Sequence, residues 1–253
     1  MFRKLKSSNL AQSKFKNYLL YALGEIILVV AGILIALQVN NHNLKSLQKE
    51  QEIKILTEIN SAFKSDTNNL NFFCKRVEYN TQVLGFLINT LNSDKPYHDS
   101  LAPFFAKVVT PFMWSESNGA YKTLLSKGLD IISNDEIRKD VLDIHTNLYE
   151  TIKYLDDGIY VKYPYVNQFC LAHFDVVGSE NVDPKGNYAM AFMKPNNYEA
   201  LKNNKEYMAI LKTLKQQQLI FLSVLKSTQK ELRKCIEKIN IELSSDDSNP
   251  PKN

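Results

Sequence analysis

The strongest pattern in the chain is an apolar run at residues 18–39, YLLYALGEIILVVAGILIALQV, in which 13 of 22 positions are Leu, Ile or Val and Glu25 is the single formal charge. As a helix rising ~1.5 Å per residue it is about 33 Å long, enough to cross a hydrocarbon core of ~30 Å. Each aliphatic residue favours insertion by roughly 0.3 to 0.6 kcal/mol. A carboxylate opposes it by about 3 kcal/mol at the bilayer centre, and Glu25 lies off-centre. The balance favours a transmembrane helix. A cleaved signal peptide would have a shorter apolar core followed by an A-x-A site, and neither is present, although Ala31 and Ala36 are small. A buried helix of a soluble protein would leave the basic leader before it unexplained.

Beyond the polar exit Gln38, Asn40, Asn41, His42 and Asn43, apolar residues recur every seven positions at Leu56, Phe63, Leu70, Val77, Leu84 and Leu91. Ile59, Phe73 and Leu87 interleave with them, and Asp66 and Asn80 are polar exceptions in the same series. This predicts a long helix with one packing seam. It begins near Leu44 as a continuation of the span and ends at Ser93-Asp94-Lys95-Pro96. Its length of about 50 residues corresponds to ~70 Å at ~1.5 Å per residue, so the anchor is also read as a stalk.

Pro103, Pro111, Gly119 and Gly128 divide residues 97–133 into shorter pieces, with the single tryptophan, Trp114, in a loop. Ser133-Asn134-Asp135-Glu136 reads as a capping box for a helix over about residues 134–157, with Ile137, Val141, Ile144, Leu148, Ile152 and Leu155 on its apolar face. After a bend near Gly158, the aromatic segment Ile159 to Phe174 is expected to form another helix. Residues 176–204, with Gly178, Pro184, Gly186 and Pro195, read as a long loop with at most one short helix. A second long amphipathic helix is expected from Lys205 to Leu243, antiparallel to the first.

The fold class is thus all-α: one N-terminal transmembrane helix continuing into a long helix, plus an antiparallel helical bundle. The domain plan is a basic tail (1–17), a span (18–39), a helical extracytoplasmic domain (40–243) and a disordered tail (244–253).

Charge adds topology. Arg3, Lys4, Lys6, Lys14 and Lys16 precede the span and no acid occurs before Glu25. Without those five of the 31 basic residues, 26 face 27 acidic ones, so no nucleic-acid surface is indicated. Only Lys45, Lys49 and Lys54 follow closely after the span, and the excess on the leading side places the N-terminus inside, in the inner membrane, and the large domain outside.

Within the span, Glu25, Val29, Gly32 and Ala36 share one helical face, and Gly32-x-x-x-Ala36 lets another helix approach closely. Two readings stand side by side. This face pairs with a second copy or a membrane partner, or Glu25 snorkels to the headgroups and the small residues are ordinary membrane composition.

The stretch Lys16 to Asn41 resembles the N-terminal signature of a large uncharacterised family of bacterial membrane-anchored proteins frequent in Bacteroidota, with its YLLYAxGEIxLVVxGILIALQxNN run. The chain has His42 where that family tends to have Trp. Gly119 to Leu124 and Gly128 to Arg138 are similar to it as well. The resemblance implies the anchor and a helical outer region, and no activity.

Candidate chemistry is sparse. Tyr160, Tyr163 and Tyr165 with His173 could line an outer pocket, though aromatic core packing is the simpler account of such residues. Cys170-x-x-His173 lacks a second pair at ligand spacing, so no metal or other cofactor is implied. Cys74, Cys170 and Cys235 read as reduced core thiols, with one bridge and a spare thiol as the alternative. Asp140, Asp143, His145, Glu150, Asp156 and Asp157 are expected to form a solvated helix face. The reading is a non-enzymatic interaction or scaffold component in the lipid bilayer. A ligand-sensing ectodomain acting through a membrane partner is the alternative, and an enzyme without a recognisable motif comes third.

Overall fold

The computed structural model describes residues 5–109, 114–177 and 192–247, without the side chains of residues 5–17, Tyr160, Val177, Asp246 and Asp247. The expectations on Pro111, on the loop positions Gly178, Pro184 and Gly186, and on the two chain ends at residues 1–4 and 248–253 lie outside the described residues. The chain divides into two units, Met1–Lys54 together with Pro251–Asn253, and Ile55–Pro250.

The first unit is the leading part of α1 (Leu5–Leu91), which contains the apolar run. The helix already begins inside the basic leader and continues unbroken to Leu91. It stops where Ser93 N–H and Oγ both donate to the Thr90 carbonyl and Lys95 precedes Pro96, whose ring disfavours helical backbone before it.

Among its described residues the second unit is helical with one small hairpin. Its elements are the rest of α1, α2 (Ala102–Lys107), α3 (Gly119–Lys127), α4 (Asp135–Asp143), a π turn (Ile144–Leu148), α5 (Tyr149–Tyr160) and α6 (Tyr163–His173). After them come β1 (Phe174–Val177), β2 (Phe192–Pro195), α7 (Tyr198–Lys202) and α8 (Lys205–Asp247). Residues Ile55 to Leu91 of α1 run antiparallel to α8. Asn60 Nδ2 donates to Asn240 Oδ1 at 2.8 Å, Gln229 Nε2 to the Thr67 carbonyl at 3.3 Å, and Lys226 pairs with Glu78 at 2.5 Å. Leu56, Phe63, Leu70, Val77, Leu84 and Leu91 are all buried, so the seven-residue series is the seam of this pairing. On α8 the buried positions follow at steps of three and four from Tyr207 through Leu211, Leu214, Gln218, Phe221, Leu225, Thr228, Leu232 and Cys235 to Ile239.

Several local expectations are corrected. The loop predicted over residues 176–204 contains the end of one strand and the whole of a second, while its one short helix is α7: Phe174 pairs with Pro195 and Val176 with Met193, antiparallel. Phe174 and Met193 are buried in the same apolar cluster as Phe105, Phe169 and Tyr207, and that burial holds a hairpin too short to announce itself by alternation. The α4 cap is Asn134, whose Oδ1 accepts from Glu136 N–H and Ile137 N–H. α5 passes through Gly158 and ends at Tyr160, and α6 restarts with Pro164 in its first turn, where the missing N–H costs nothing. α8 continues to Asp247, so residues 244–247 of the expected tail are helical. Gly128, at φ 100°, ends α3 in a backbone conformation that other residues rarely adopt.

Candidate functional sites

Three features of the described residues stand out. The first is in the apolar run of α1. From Tyr18 to Val39 every side chain but Ala22 is exposed, and no part of the apolar window is buried within the chain. Glu25 and Val29 line a shallow groove of about 310 Å³ with Ala22, Ile26 and Val30. A Cβ added at Gly32 would meet nothing within 4 Å. The predicted face Glu25, Val29, Gly32 and Ala36 is therefore open on the helix surface.

The second feature was not anticipated. Asp66, a polar exception in the heptad series, is completely buried. Its carboxylate accepts the Ser117 backbone N–H at 3.0 and 3.2 Å and the Tyr149 hydroxyl at 2.7 Å. Trp114 packs edge-on against Phe73 at 5.7 Å, and its backbone N–H donates to Asp156 at 3.0 Å. The segment 114–118 is thus tied to α1 by Asp66 and to α5 by Asp156. Burial, reinforced by the Asp66 carboxylate, pushes the Tyr149 phenol far above its ordinary value, so it remains a hydrogen-bond donor. Burial likewise raises the Asp156 carboxyl, partly offset by the Trp114 N–H.

His145 lies beside this cluster, in the π turn. It is 8% exposed and stacks on Tyr121 with ring centroids 3.9 Å apart. This corrects the solvated face expected for α4 and α5: Asp143, Glu150 and Asp157 are exposed, Asp140 pairs with Lys238 at 2.7 Å, and His145 turns inward. The widened turn brings His145 and Tyr149 inward as well, beside the expected Ile144 and Ile152, with Leu148 partly buried against the same core.

Burial lowers the His145 pKa to about 4, with Glu116 opposing the shift. The imidazole is therefore neutral in the fold, whereas an unfolded histidine titrates near ~6.5. Above that pH neither state binds the proton. As pH falls from about 6.5 towards 4 the unfolded state binds it first, and stability drops, by about 2 kcal/mol at pH ~5. Urea midpoints measured at pH 7.5 and 5 are expected to differ accordingly, and His145→Gln should flatten that difference.

The third feature is a cavity of about 420 Å³ between α5 and α8, lined by Leu155, Gly158, Ile159 and Lys162 on one side and Gln217 and Ile220 on the other. Tyr154 and Val161 stand at it, 77% and 75% exposed. The predicted tyrosine pocket is placed differently. Tyr165 is 55% exposed and donates to Glu206 at 2.5 Å, Tyr163 is partly buried, and His173 is exposed with its ring 4.3 Å from that of Phe169. Neither Tyr163, Tyr165 nor His173 lines the cavity; the Tyr160 side chain lies outside the described residues. Cys170 is buried while His173 faces outward, and all three cysteines are free and buried. Among the described residues no group of three or more His, Cys, Asp and Glu side chains is placed to hold a metal ion.

These features define a predominantly helical protein with one helix long and apolar enough to cross a membrane. The chain belongs to a family of unknown function, DUF6090, whose model matches residues 25–168. The matched stretch contains Glu25, the Asp66 cluster and α5, and leaves out α8. No curated protein and no solved structure matches the chain.

Proposed function

We propose that the chain is a single-pass protein of the bacterial inner membrane, with a cytoplasmic N-terminus and its helical domain outside, and that it acts as a non-enzymatic interaction component. The observation that carries this reading is the span: an apolar helix wholly unburied within its own chain, with an ionisable residue and two small residues on one face. Lipid covers such a helix readily but solvates Glu25 poorly, so a neighbouring helix that meets the carboxyl across the Gly32 and Ala36 surface stabilises it. The partner is a second copy of the chain.

Crosslinking in native membranes tests this. Wild type is expected to give a band at twice the chain mass, reduced several-fold by Glu25→Gln and by Gly32→Leu. Unchanged yield in both variants would dismiss the pairing face. A crosslink to a different protein, lost in both, would replace the second copy by a membrane partner. The cavity between α5 and α8 favours a second reading, in which the outer domain senses a ligand and passes the signal to a partner through the span.

A further inference from the structure

We propose that the groove between α5 and α8 binds a small amphiphilic acid, a single-chain molecule with an apolar body, one hydrogen-bond donor and a terminal anion, of the N-acyl amino acid type. The inference stands on the outer domain alone and is independent of how the span pairs.

Five observations support this occupant. The cavity volume of about 420 Å³ falls in the range of small-molecule sites, which are mostly apolar with a few placed polar groups. Leu155, Ile159 and Ile220 supply the apolar walls, and α8 carries no charged residue from Gln216 to Leu225, so nothing on that wall repels a hydrocarbon chain. Gly158 lies within α5 although glycine is a poor helix former, and a Cβ there would meet nothing within 4 Å. Among the described residues no packing requires that glycine, and its effect is to keep the groove open.

The polar groups set the remaining chemistry. Gln217 lines the groove, and its Oε1 is buried without a hydrogen-bond partner, so a half-turn of the amide that brings this oxygen to the groove breaks no bond of the oxygen and offers an acceptor to an amide N–H or hydroxyl of a ligand. Lys162 at the rim is exposed and makes no ion pair among the described residues, and its ammonium complements a carboxylate. An apolar body, a donor and an anion are what these walls, Gln217 and Lys162 can each accept.

The test uses the full chain in phosphatidylcholine nanodiscs and N-dodecanoylglycine bearing a diazirine on its acyl chain, with adducts mapped by peptide mass spectrometry. Adducts are expected in the peptides containing Tyr154 to Lys162 and Gln217 to Ile220. Excess unlabelled N-dodecanoylglycine should reduce them at least tenfold, and dodecyltrimethylammonium, of opposite charge, should not. Gly158→Leu, which fills open space and leaves the thermal midpoint equal or higher, should reduce labelling similarly. Lys162→Gln should weaken competition by N-dodecanoylglycine while leaving that by the uncharged N-dodecylacetamide unchanged. Labelling confined to the span, equal competition by the cationic amphiphile, or full groove labelling in a folded Gly158→Leu protein would each overturn the proposal.

Discussion

Replacing Asp66 by alanine is expected to destabilise the helical domain by about 3 kcal/mol or more, the cost of leaving buried hydrogen-bond donors without their carboxylate acceptor. Two donors lose their partner at once. The Tyr149 hydroxyl is buried on α5, and the Ser117 N–H belongs to a segment whose other tie is Trp114 N–H to Asp156. Asp66→Asn should cost less, because one amide oxygen can still accept while the amide nitrogen faces a donor. Tyr149→Phe alone should be milder than either, since Ser117 then keeps the carboxylate. The double variant Asp66→Ala/Tyr149→Phe should lose less than the sum of the two single losses, because the two groups share one interaction. Urea titrations followed by helical circular dichroism measure all four. An Asp66→Ala midpoint equal to that of wild type would show that the buried carboxylate contributes nothing.

The second large effect concerns the membrane. Ile27→Arg together with Val30→Arg places two guanidinium groups near the centre of the apolar run and removes two aliphatic residues. Each arginine opposes insertion by roughly 3 kcal/mol, against a total gain from the 13 aliphatic residues of the order of 6 kcal/mol before Glu25 is counted. The double variant is expected to leave the carbonate-resistant membrane pellet for the soluble fraction, whereas Ile27→Ala/Val30→Ala stays. If the arginine variant remained in the pellet, something other than the apolar helix would be holding the chain there.

The parts of the fold legible in the sequence are those governed by period. The apolar run needs only length and composition, and the seam from Leu56 to Leu91 needs only its seven-residue step. What the sequence shows at Asp66 is a polar residue in an apolar register. Its meaning depends on Ser117 and Tyr149, 51 and 83 positions away, and no local pattern points to them.

His145 was assigned to the wrong face for a different reason. On uniform turns of ~3.6 residues His145 already lies about 40° from Val141 and on the far side from Asp143 and Glu150, so its polar type and not its position groups it with the acids, and the π turn at Ile144–Leu148 carries it inward together with Tyr149. The hairpin leaves no pattern in the sequence because its strands are four residues each and are separated by a long intervening stretch, with Phe174 and Met193 the buried residues that give it a reason to form. The α5–α8 cavity depends on the approach of two helices far apart in sequence, and Gly158, which reads as a bend between helices, lies instead inside α5 at its wall.

Topology is the measurement that tests the account most directly. Native Cys74, Cys170 and Cys235 are buried, and burial raises all three thiols, the last two to about 12, so they make poor reporters and leave a low background. New cysteines at Ser227, exposed on α8, and at Ser13, in the basic leader, serve instead. With a membrane-impermeant maleimide and the inner membrane intact, Ser227→Cys is expected to label at once and Ser13→Cys only after lysis. Labelling of Ser13→Cys before lysis with protection of Ser227→Cys would contradict the orientation, and labelling of both only after lysis would contradict an outer domain altogether.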